Sequence, residues 1–130
     1  MWDTKMYLIK RYGKVFVHVG IYINENQIYH YTTKDDNVLK GNHIIKCSNL
    51  VGFSLDGKVF YDYINNVEMD VLIHRINEFP GIRKPYNILT NNCITFVLYC
   101  LHGKSVTIKE MLYFALQHKV MLFSFLTPIR

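Results

Sequence analysis

The chain has 130 residues, and its content of 50% hydrophobic and 15% aromatic residues excludes an intrinsically disordered protein. The formal net charge of +5 is scattered along the chain, so nucleic acid is not an expected partner, whereas attraction to an anionic membrane surface stays open. We expect a single domain over residues 1–130, with a core at about 7–103 and a C-terminal helix and apolar tail at 104–130.

Cysteine usage bears on the cellular compartment. Cys47, Cys93 and Cys100 make an odd count, and the first residues show no secretory signal. Both observations argue against a disulfide framework and favour a reducing compartment. No uncharged apolar run reaches the roughly 18 residues that a membrane-spanning helix needs. We therefore expect a cytoplasmic protein that is not secreted, with membrane association as a further option.

The first strands of the predicted sheet lie at 6–11, before a turn at Gly13, and at 15–23. The second strand alternates between two faces, as a half-buried strand does. The β-branched core face consists of Val15, Val17, Val19, Ile21 and Ile23. The opposite face consists of Phe16, His18, Gly20 and Tyr22.

The register of the next predicted hairpin determines whether His18 and His30 lie on the same face of the sheet. A three-residue loop at 24–26 leads into a third strand at 27–32. In the register that this loop favours, Gly20 lies opposite His30, and His30 lies diagonal to His18 on the same face. Glycine leaves the space that an imidazole needs to lean across. A four-residue loop would turn His30 to the other face.

The middle of the chain combines polar and apolar segments. The predicted elements are a loop at 33–42, a short strand at 43–47, strands at about 50–55 and 58–64, and a helix at about 67–79. The dipeptide Asp56-Gly57 predicts a hairpin between the two later strands. Pro80-Gly81 ends the helix. Its predicted buried stripe consists of Met69, Leu72, Ile73, Ile76 and Phe79.

A cysteine opens the next predicted helix, at 92–102. Asn92 is a suitable N-cap, and Gly103 is a suitable terminator. The residues three, four, seven and eight positions after Cys93 are apolar or cysteine, so the face that carries Cys93 packs inward. The predicted helix therefore holds this thiol at its N-terminus and against the core.

The C-terminal part contains one more helix and an apolar tail. The helix begins at Thr107, where Glu110 completes a capping box. We predict that the tail at 120–126 is a buried strand or docked segment. Membrane contact of this tail is the alternative.

Cys93 and two histidines form the candidate catalytic set. A helix N-terminus and a neighbouring imidazole both lower a thiol pKa, which favours a nucleophilic thiolate. His18 is the candidate general base, and His30 would orient it and hold its useful tautomer. The alternative is a structural role for each residue, since buried cysteines and satisfied core histidines are common. We predict structural roles for Cys47 and Cys100.

Metal ions and organic cofactors are not expected. The other four histidines show no spacing typical of zinc ligands, and neither Cys-x-x-Cys nor His-x-x-x-His occurs. A Gly-rich phosphate loop and the paired aspartates of a two-metal nuclease are also missing. The sequence therefore predicts chemistry carried by side chains alone.

These segments resemble the permuted papain-like superfamily, which includes the NlpC-type hydrolases, and above all its lecithin:retinol acyltransferase-like proteins and small phospholipase relatives. That group has His-x-x-x-Tyr with a second histidine twelve residues after the first. It also has a tyrosine and a loop before Asn-Cys-x-x-Phe-Val, with a glycine ten residues past the cysteine. The matching residues, within about 7–103, are His18, Tyr22, His30, Tyr86, Asn92, Cys93, Phe96, Val97 and Gly103. The abundance of Ile, Asn, Lys and Tyr favours a viral member.

The resemblance implies a permuted papain-like α+β fold, with an antiparallel sheet packed against helices and the nucleophile at a helix N-terminus. It implies a hydrolase or acyltransferase that forms an acyl-enzyme on a lipid ester, with Tyr22, Tyr86 and Asn92 lining the site. Ile94-Thr95 replaces the Glu-His that usually follows the cysteine in the acyltransferases. Two alternatives stay open: a peptide or isopeptide amidase with the same Cys-His site, and an inactive host-interaction protein. The expected partner is a small-molecule or lipid substrate, with peripheral membrane contact.

Overall fold

The computed structural model describes residues 4–13, 17–36, 41–87 and 90–120, which form an antiparallel sheet and several helices. The strands are β1 (Thr4–Tyr12), β2 (Val17–Asn24), β3 (Gln27–Thr33), β4 (His43–Ser48) and β5 (Val59–Val67). The helices are α1 (Leu50–Ser54), α2 (Met69–Glu78), α3 (Cys93–His102) and α4 (Ile108–Gln117), with a 3₁₀ turn at Pro80–Arg83. The strand order is β4-β3-β2-β1-β5. The predicted α+β class is confirmed.

The β2–β3 hairpin has the predicted register beyond its turn, but the turn itself is shorter than predicted. Asn24 pairs with Gln27, which leaves a two-residue turn, and an irregularity follows between Tyr22 and Asn24. This irregularity restores the predicted alignment, so that Ile21 pairs with Tyr29. Because side chains alternate along each strand, the two histidines point to the same face.

The predicted strand at 50–55 is wrong. Residues Leu50–Ser54 form the short helix α1, because the Asn49 side chain accepts a hydrogen bond from the Gly52 N–H at 2.7 Å. Phe53 of this helix is fully buried. The turn at Asp56-Gly57 leads into β5, which pairs with β1, so the predicted hairpin does not form.

Different elements pack against the two faces of the sheet. Residues of β2 such as Val19 and Ile21 share one core cluster with buried residues of α2, α3 and α4. On the other face, Phe53 packs with Ile9 and Ile28 in a second, smaller cluster. The stripe predicted for α2 is buried at Leu72, Ile76 and Phe79 and partly buried at Met69, whereas Ile73 is 38% exposed.

The predicted caps of the last two helices are confirmed. Asn92 and Thr95 form a capping box at the start of α3, and Gly103 ends this helix with a φ of 75°. Thr107 and Glu110 form a second capping box at the start of α4. In the described ranges, no helix is both long and apolar enough to cross a bilayer. Positions 14–16 and most of the predicted tail, 121–126, lie outside the described residues, and the division into a core and a C-terminal part stays a prediction.

Candidate active site

His18 and His30 form a buried, hydrogen-bonded pair. Nε2 of His18 lies 2.8 Å from Nδ1 of His30, and the two side chains are 2% and 0% exposed. Gly20 makes this approach possible, because a Cβ at this position would lie 3.0 Å from the Cβ of His30 and 2.9 Å from the Tyr29 carbonyl oxygen. The predicted meeting of these histidines is therefore confirmed.

Ser48 and Phe53 hold the histidine pair from the β4–α1 junction. Oγ of Ser48 lies 2.8 Å from Nε2 of His30. The Phe53 ring stacks on His18, with centroids 5.3 Å apart, and meets His30 edge-on at 5.0 Å. The sequence pattern does not identify either residue, because residues 50–55 have the pattern of a strand and Ser48 reaches His30 only through the pairing of β4 with β3. The signal that predicts α1 is Asn49 as an N-cap, three residues before Gly52.

The hydrogen bonds limit the tautomers of the pair. If Nε2–H of His18 donates to Nδ1 of His30, then Nε2–H of His30 donates to Ser48 Oγ, and Nδ1 of His18 keeps a free lone pair. That Nδ1 atom is buried and forms no hydrogen bond to any residue in the described part of the chain. A buried nitrogen without a partner is costly, and in this tautomer of the pair it is available to accept a proton.

Cys93 is fully buried at the first position of α3. The Asn92 side chain accepts hydrogen bonds from the N–H groups of Ile94 and Thr95 at 2.9 and 3.0 Å, which fixes the start of the helix. The sulfur lies within hydrogen-bond reach of the Val19 N–H and of the N–H groups of Cys93 and Ile94. Val19 follows His18 in β2, so α3 brings the thiol to the strand that carries the candidate base.

Burial controls the protonation of this site. Burial, followed by the charges of His30 and Arg11, holds the pKa of His18 well below its ordinary value, and burial lowers that of His30 to about 4. Burial also raises the pKa of Cys93 to about 11, although the nearby N–H groups and Arg11 act in the opposite direction. The prediction of a lowered thiol pKa is therefore wrong, because desolvation outweighs the helix terminus. At neutral pH the resting site holds a thiol and neutral imidazoles.

Arg11 is a further charged residue at this site. Its guanidinium donates a hydrogen bond to the Phe53 carbonyl oxygen at 2.6 Å and lies over the Phe53 ring, 5.4 Å from its centroid. Its positive charge lowers the pKa values of Cys93, His18 and His30. A cation at this place favours a thiolate over a thiol. Nothing in the sequence pattern distinguishes Arg11 from the other basic residues.

The two predicted lining tyrosines have different surroundings. The Tyr86 ring stacks on His43 with centroids 4.1 Å apart, and its hydroxyl is buried without a partner among the described residues. Burial and then the charge of Cys93 raise the pKa of Tyr86. Tyr22 instead packs edge-on against Tyr61 at 4.9 Å, and its place at the site stays a prediction.

The remaining two cysteines differ in exposure. Cys100 is buried in the main core cluster, as predicted, whereas Cys47 is exposed on β4. Within the described part of the chain, no three His, Cys, Asp or Glu side chains are grouped as metal ligands.

A comparison with protein-family models shows to which family the chain belongs. The family model described as Lecithin retinol acyltransferase matches residues 4–106. The chain belongs to the lecithin retinol acyltransferase family. A search of curated proteins found no match, and a search of solved structures found none either.

Membership of the lecithin retinol acyltransferase family indicates acyltransferase or phospholipase-type activity in general. The matched range includes β1 to α3, and with them Cys93, His18 and His30, and it ends before α4. The resemblance read from the histidine and cysteine motifs is thereby confirmed. A viral origin stays a prediction.

Proposed function

We propose that this protein is a cysteine-dependent acyltransferase or hydrolase that acts on a lipid ester through an acyl-enzyme. The observation that carries the proposal is the buried Nδ1 of His18, which has no partner in the described part of the chain. The next residue in β2 is Val19, whose backbone N–H the Cys93 sulfur reaches. Nucleophilic catalysis requires a base that can reach a thiol at a helix N-terminus, and in this proposal His18 is that base for Cys93. A permuted papain-like fold, with the nucleophile on α3 and the base on β2, is part of the proposal.

In the first half-reaction, Nδ1 of His18 takes the proton of the Cys93 thiol as the sulfur attacks the ester carbonyl carbon. The resulting oxyanion is stabilised by backbone N–H groups at the start of α3, including that of Cys93. When the carbon–oxygen bond breaks, His18 returns its proton to the leaving alkoxide. The products are an alcohol and a thioester on Cys93.

The second half-reaction releases the acyl group. His18 takes a proton from water or from an acceptor alcohol or amine, which attacks the thioester carbonyl. The tetrahedral intermediate collapses, the thiolate leaves, and His18 protonates it. Through both steps, His30 accepts the Nε2–H bond of His18 and so stabilises the imidazolium as it forms.

The raised pKa of Cys93 and the lowered pKa of His18 fit this general-base route. A preformed thiolate–imidazolium pair would need the opposite shifts. In the proposed reaction the proton moves only while the new carbon–sulfur bond forms, so that charge develops on the substrate oxygen at the same time.

Peripheral contact with a membrane is part of the proposal, because a lipid ester resides at a bilayer surface. Ile108, Leu112 and Leu116 are spaced four residues apart on α4 and are 46%, 40% and 59% exposed. Tyr113 beside them is 70% exposed. An exposed apolar stripe on a helix in a chain of net positive charge is typical of a surface that enters an anionic interface.

The proposal is tested by intact mass spectrometry after incubation with vesicles of an ester lipid, followed by peptide mapping of the added acyl mass. We expect an acyl group on Cys93, none in Cys93→Ala, and unchanged labelling in Cys47→Ala, which removes an exposed thiol as a control. Acylation at Cys100, or none at Cys93 in the folded protein, would contradict the proposal. A panel of acyl peptides in the same assay separates a lipid-ester substrate from an amide.

A further inference from the structure

A cavity of about 580 Å³ lies between β5, the C-terminal half of α3 and helix α4. This volume is in the range of pockets that bind small molecules. The family match ends at residue 106, before α4 begins. One wall of the cavity is therefore a helix outside the range that the chain shares with its family.

Much of the lining of this cavity is apolar. The apolar lining residues are Ile64 of β5, Leu98 and Leu101 of α3, Val106, and Phe114 of α4. Leu98 and Phe114 also belong to the main core cluster, so the cavity extends the apolar core towards the surface. Such a surface favours an alkyl chain, because each methylene group that leaves water contributes favourably to the free energy of binding.

One lysine at this cavity has an available charge. Lys109 lines the cavity, is exposed, and forms no ion pair or hydrogen bond within the described ranges. Glu110, the acidic residue of the lining, is already engaged, because its carboxylate accepts a hydrogen bond from the Thr107 N–H at 2.8 Å. The bonds to Thr107, followed by the charges of Lys104 and His102, lower the pKa of Glu110. Lys109 therefore stays available to an anion.

Two other polar groups of the lining have partners. Nδ1 of His118 lies 3.0 Å from Oδ2 of Asp62, and the Tyr63 hydroxyl donates to the Asn66 side-chain oxygen at 2.8 Å. An apolar cavity with an available ammonium group is complementary in polarity and charge to a ligand that has one alkyl chain and one carboxylate.

We infer that this cavity binds a medium-chain fatty acid, with the alkyl chain between α3 and α4 and the carboxylate on Lys109. The site is separate from the candidate active site, because Cys93 is the first residue of α3 and the cavity is lined by the other half of this helix. The inference goes beyond the proposed function and does not require it, although a fatty acid is also what hydrolysis of a lipid ester releases.

The test titrates decanoate and 1-decanol separately into the full chain at low salt, below the concentrations at which they aggregate. NMR follows the ring resonances of His102 and His118, which line the cavity, and the ring of His43, which lines another cavity, is the reference. We expect decanoate to shift the two lining rings saturably and to leave His43 unchanged. Shifts that rise without saturation would indicate partitioning onto the exposed apolar surface of α4 and would overturn the inference.

Lys109→Gln tests the carboxylate contact. We expect this variant to bind decanoate at least about fivefold more weakly, as the loss of one partly exposed charge pair predicts, and to bind decanol within about twofold of the parent. The control is Lys58→Gln, which removes the charge of an exposed lysine outside the lining and should keep the parent affinity for decanoate. Equal losses for both ligands, no loss for either, or an equal loss in the control would overturn the inference.

Ile64→Trp tests the apolar part of the cavity, because a larger side chain at this partly buried position occupies the space of the alkyl chain. We expect it to exclude both ligands while the His43 resonance stays as in the parent, which shows an intact fold. A folded Ile64→Trp protein that binds decanoate as tightly as the parent would contradict the inference. If this variant does not fold, the comparison of Lys109→Gln with Lys58→Gln decides. None of these measurements needs acylation of Cys93, so failure of the proposed function leaves their outcome unchanged.

Discussion

Nε2 of His18 and Nδ1 of His30 lie 2.8 Å apart across the β2–β3 hairpin, and both rings are shielded from solvent. A hydrogen bond between two imidazoles exists only while at least one of them is neutral at the shared position. The pair is therefore an acid-sensitive element of the fold as well as the candidate base. Its geometry depends on a glycine at position 20 and on the contacts of Ser48 and Phe53.

The histidine pair predicts loss of stability in mild acid. In the unfolded chain His30 titrates near its ordinary value of 6.5, whereas burial lowers its pKa to about 4 in the folded protein. The unfolded chain thus binds a proton that the folded chain does not, and the free energy of unfolding falls as pH decreases from 6.5 towards 4. For His30 the loss between pH 7 and pH 5 is about 2 kcal/mol, and His18 acts in the same direction.

Urea unfolding at pH 7 and pH 5 measures this effect. We expect His30→Gln to be less stable than the parent at pH 7 but to lose about 2 kcal/mol less on acidification, because the titrating group has gone. His74→Gln, which replaces an exposed histidine on α2, is the control and should lose as much unfolding free energy between pH 7 and pH 5 as the parent. If His30→Gln also loses as much as the parent, His30 is not the acid-sensitive group.

Ser48 should fix the tautomer of His30 and so the basicity of His18. In Ser48→Ala the Nε2 atom of His30 loses its partner, and we expect the acylation rate of Cys93 to fall about tenfold, equivalent to one hydrogen bond to a charged group. Nitrogen NMR shifts of the two rings should show a changed tautomer population at the same time. Ser48→Thr, which keeps a hydroxyl, should restore both measurements.

Ser54→Ala is the matched control for Ser48→Ala. The Ser54 hydroxyl donates to the Val51 carbonyl oxygen within α1, and no hydrogen bond joins it to the histidine pair among the described residues. Equal rates and equal ring shifts in Ser48→Ala and Ser54→Ala would mean that Ser48 only packs against His30. Because the ring shifts are read without substrate, this result does not depend on the proposed reaction.

Much of the fold could be predicted because its signals are local. Asn92 and Gly103 specify the ends of α3 through their own backbone and side-chain preferences, and alternation along β2 places His18 on the face of Gly20. The histidine pair follows from strand register, which two neighbouring strands are enough to predict.

The features that could not be predicted from the sequence depend on contacts between segments that are far apart along the chain. Helix α1 is only five residues long, too short for periodicity to separate a helix from a strand, so Phe53 was not predicted beside the histidines. Ser48 reaches His30 only because β4 pairs with β3 across a loop. The raised pKa of Cys93 results from burial by the whole core, and the helix terminus alone predicts the opposite direction.

Gly20 should be essential for the approach of β3 to the histidine face. A Cβ in Gly20→Ala would meet the Tyr29 carbonyl oxygen at 2.9 Å and a Phe53 ring atom at 3.3 Å. We expect a loss of about 1–3 kcal/mol in the free energy of unfolding, as for overpacking in a core, and a longer distance between the imidazoles. Gly57→Ala is the comparison, because its Cβ would contact a single carbonyl oxygen at 3.2 Å in an exposed turn. If the two variants were equally stable, Gly20 would not be holding the strands together.

Cys93 should react slowly with iodoacetamide in the folded protein, because the thiolate is the reactive form and burial raises the thiol pKa to about 11. Exposed Cys47 serves as the internal reference, and both sites are quantified by peptide mapping after timed quenching. We expect Cys47 to be alkylated first at pH 7 to 8. As pH rises towards 11, the alkylation rate of Cys93 should approach that of Cys47. Arg11→Gln should slow Cys93 further because a thiolate-stabilising charge is lost, whereas Arg11→Lys should keep most of the parent rate. Faster alkylation of Cys93 than of Cys47 at neutral pH would reveal a thiolate at rest and would contradict the general-base route in favour of a preformed ion pair.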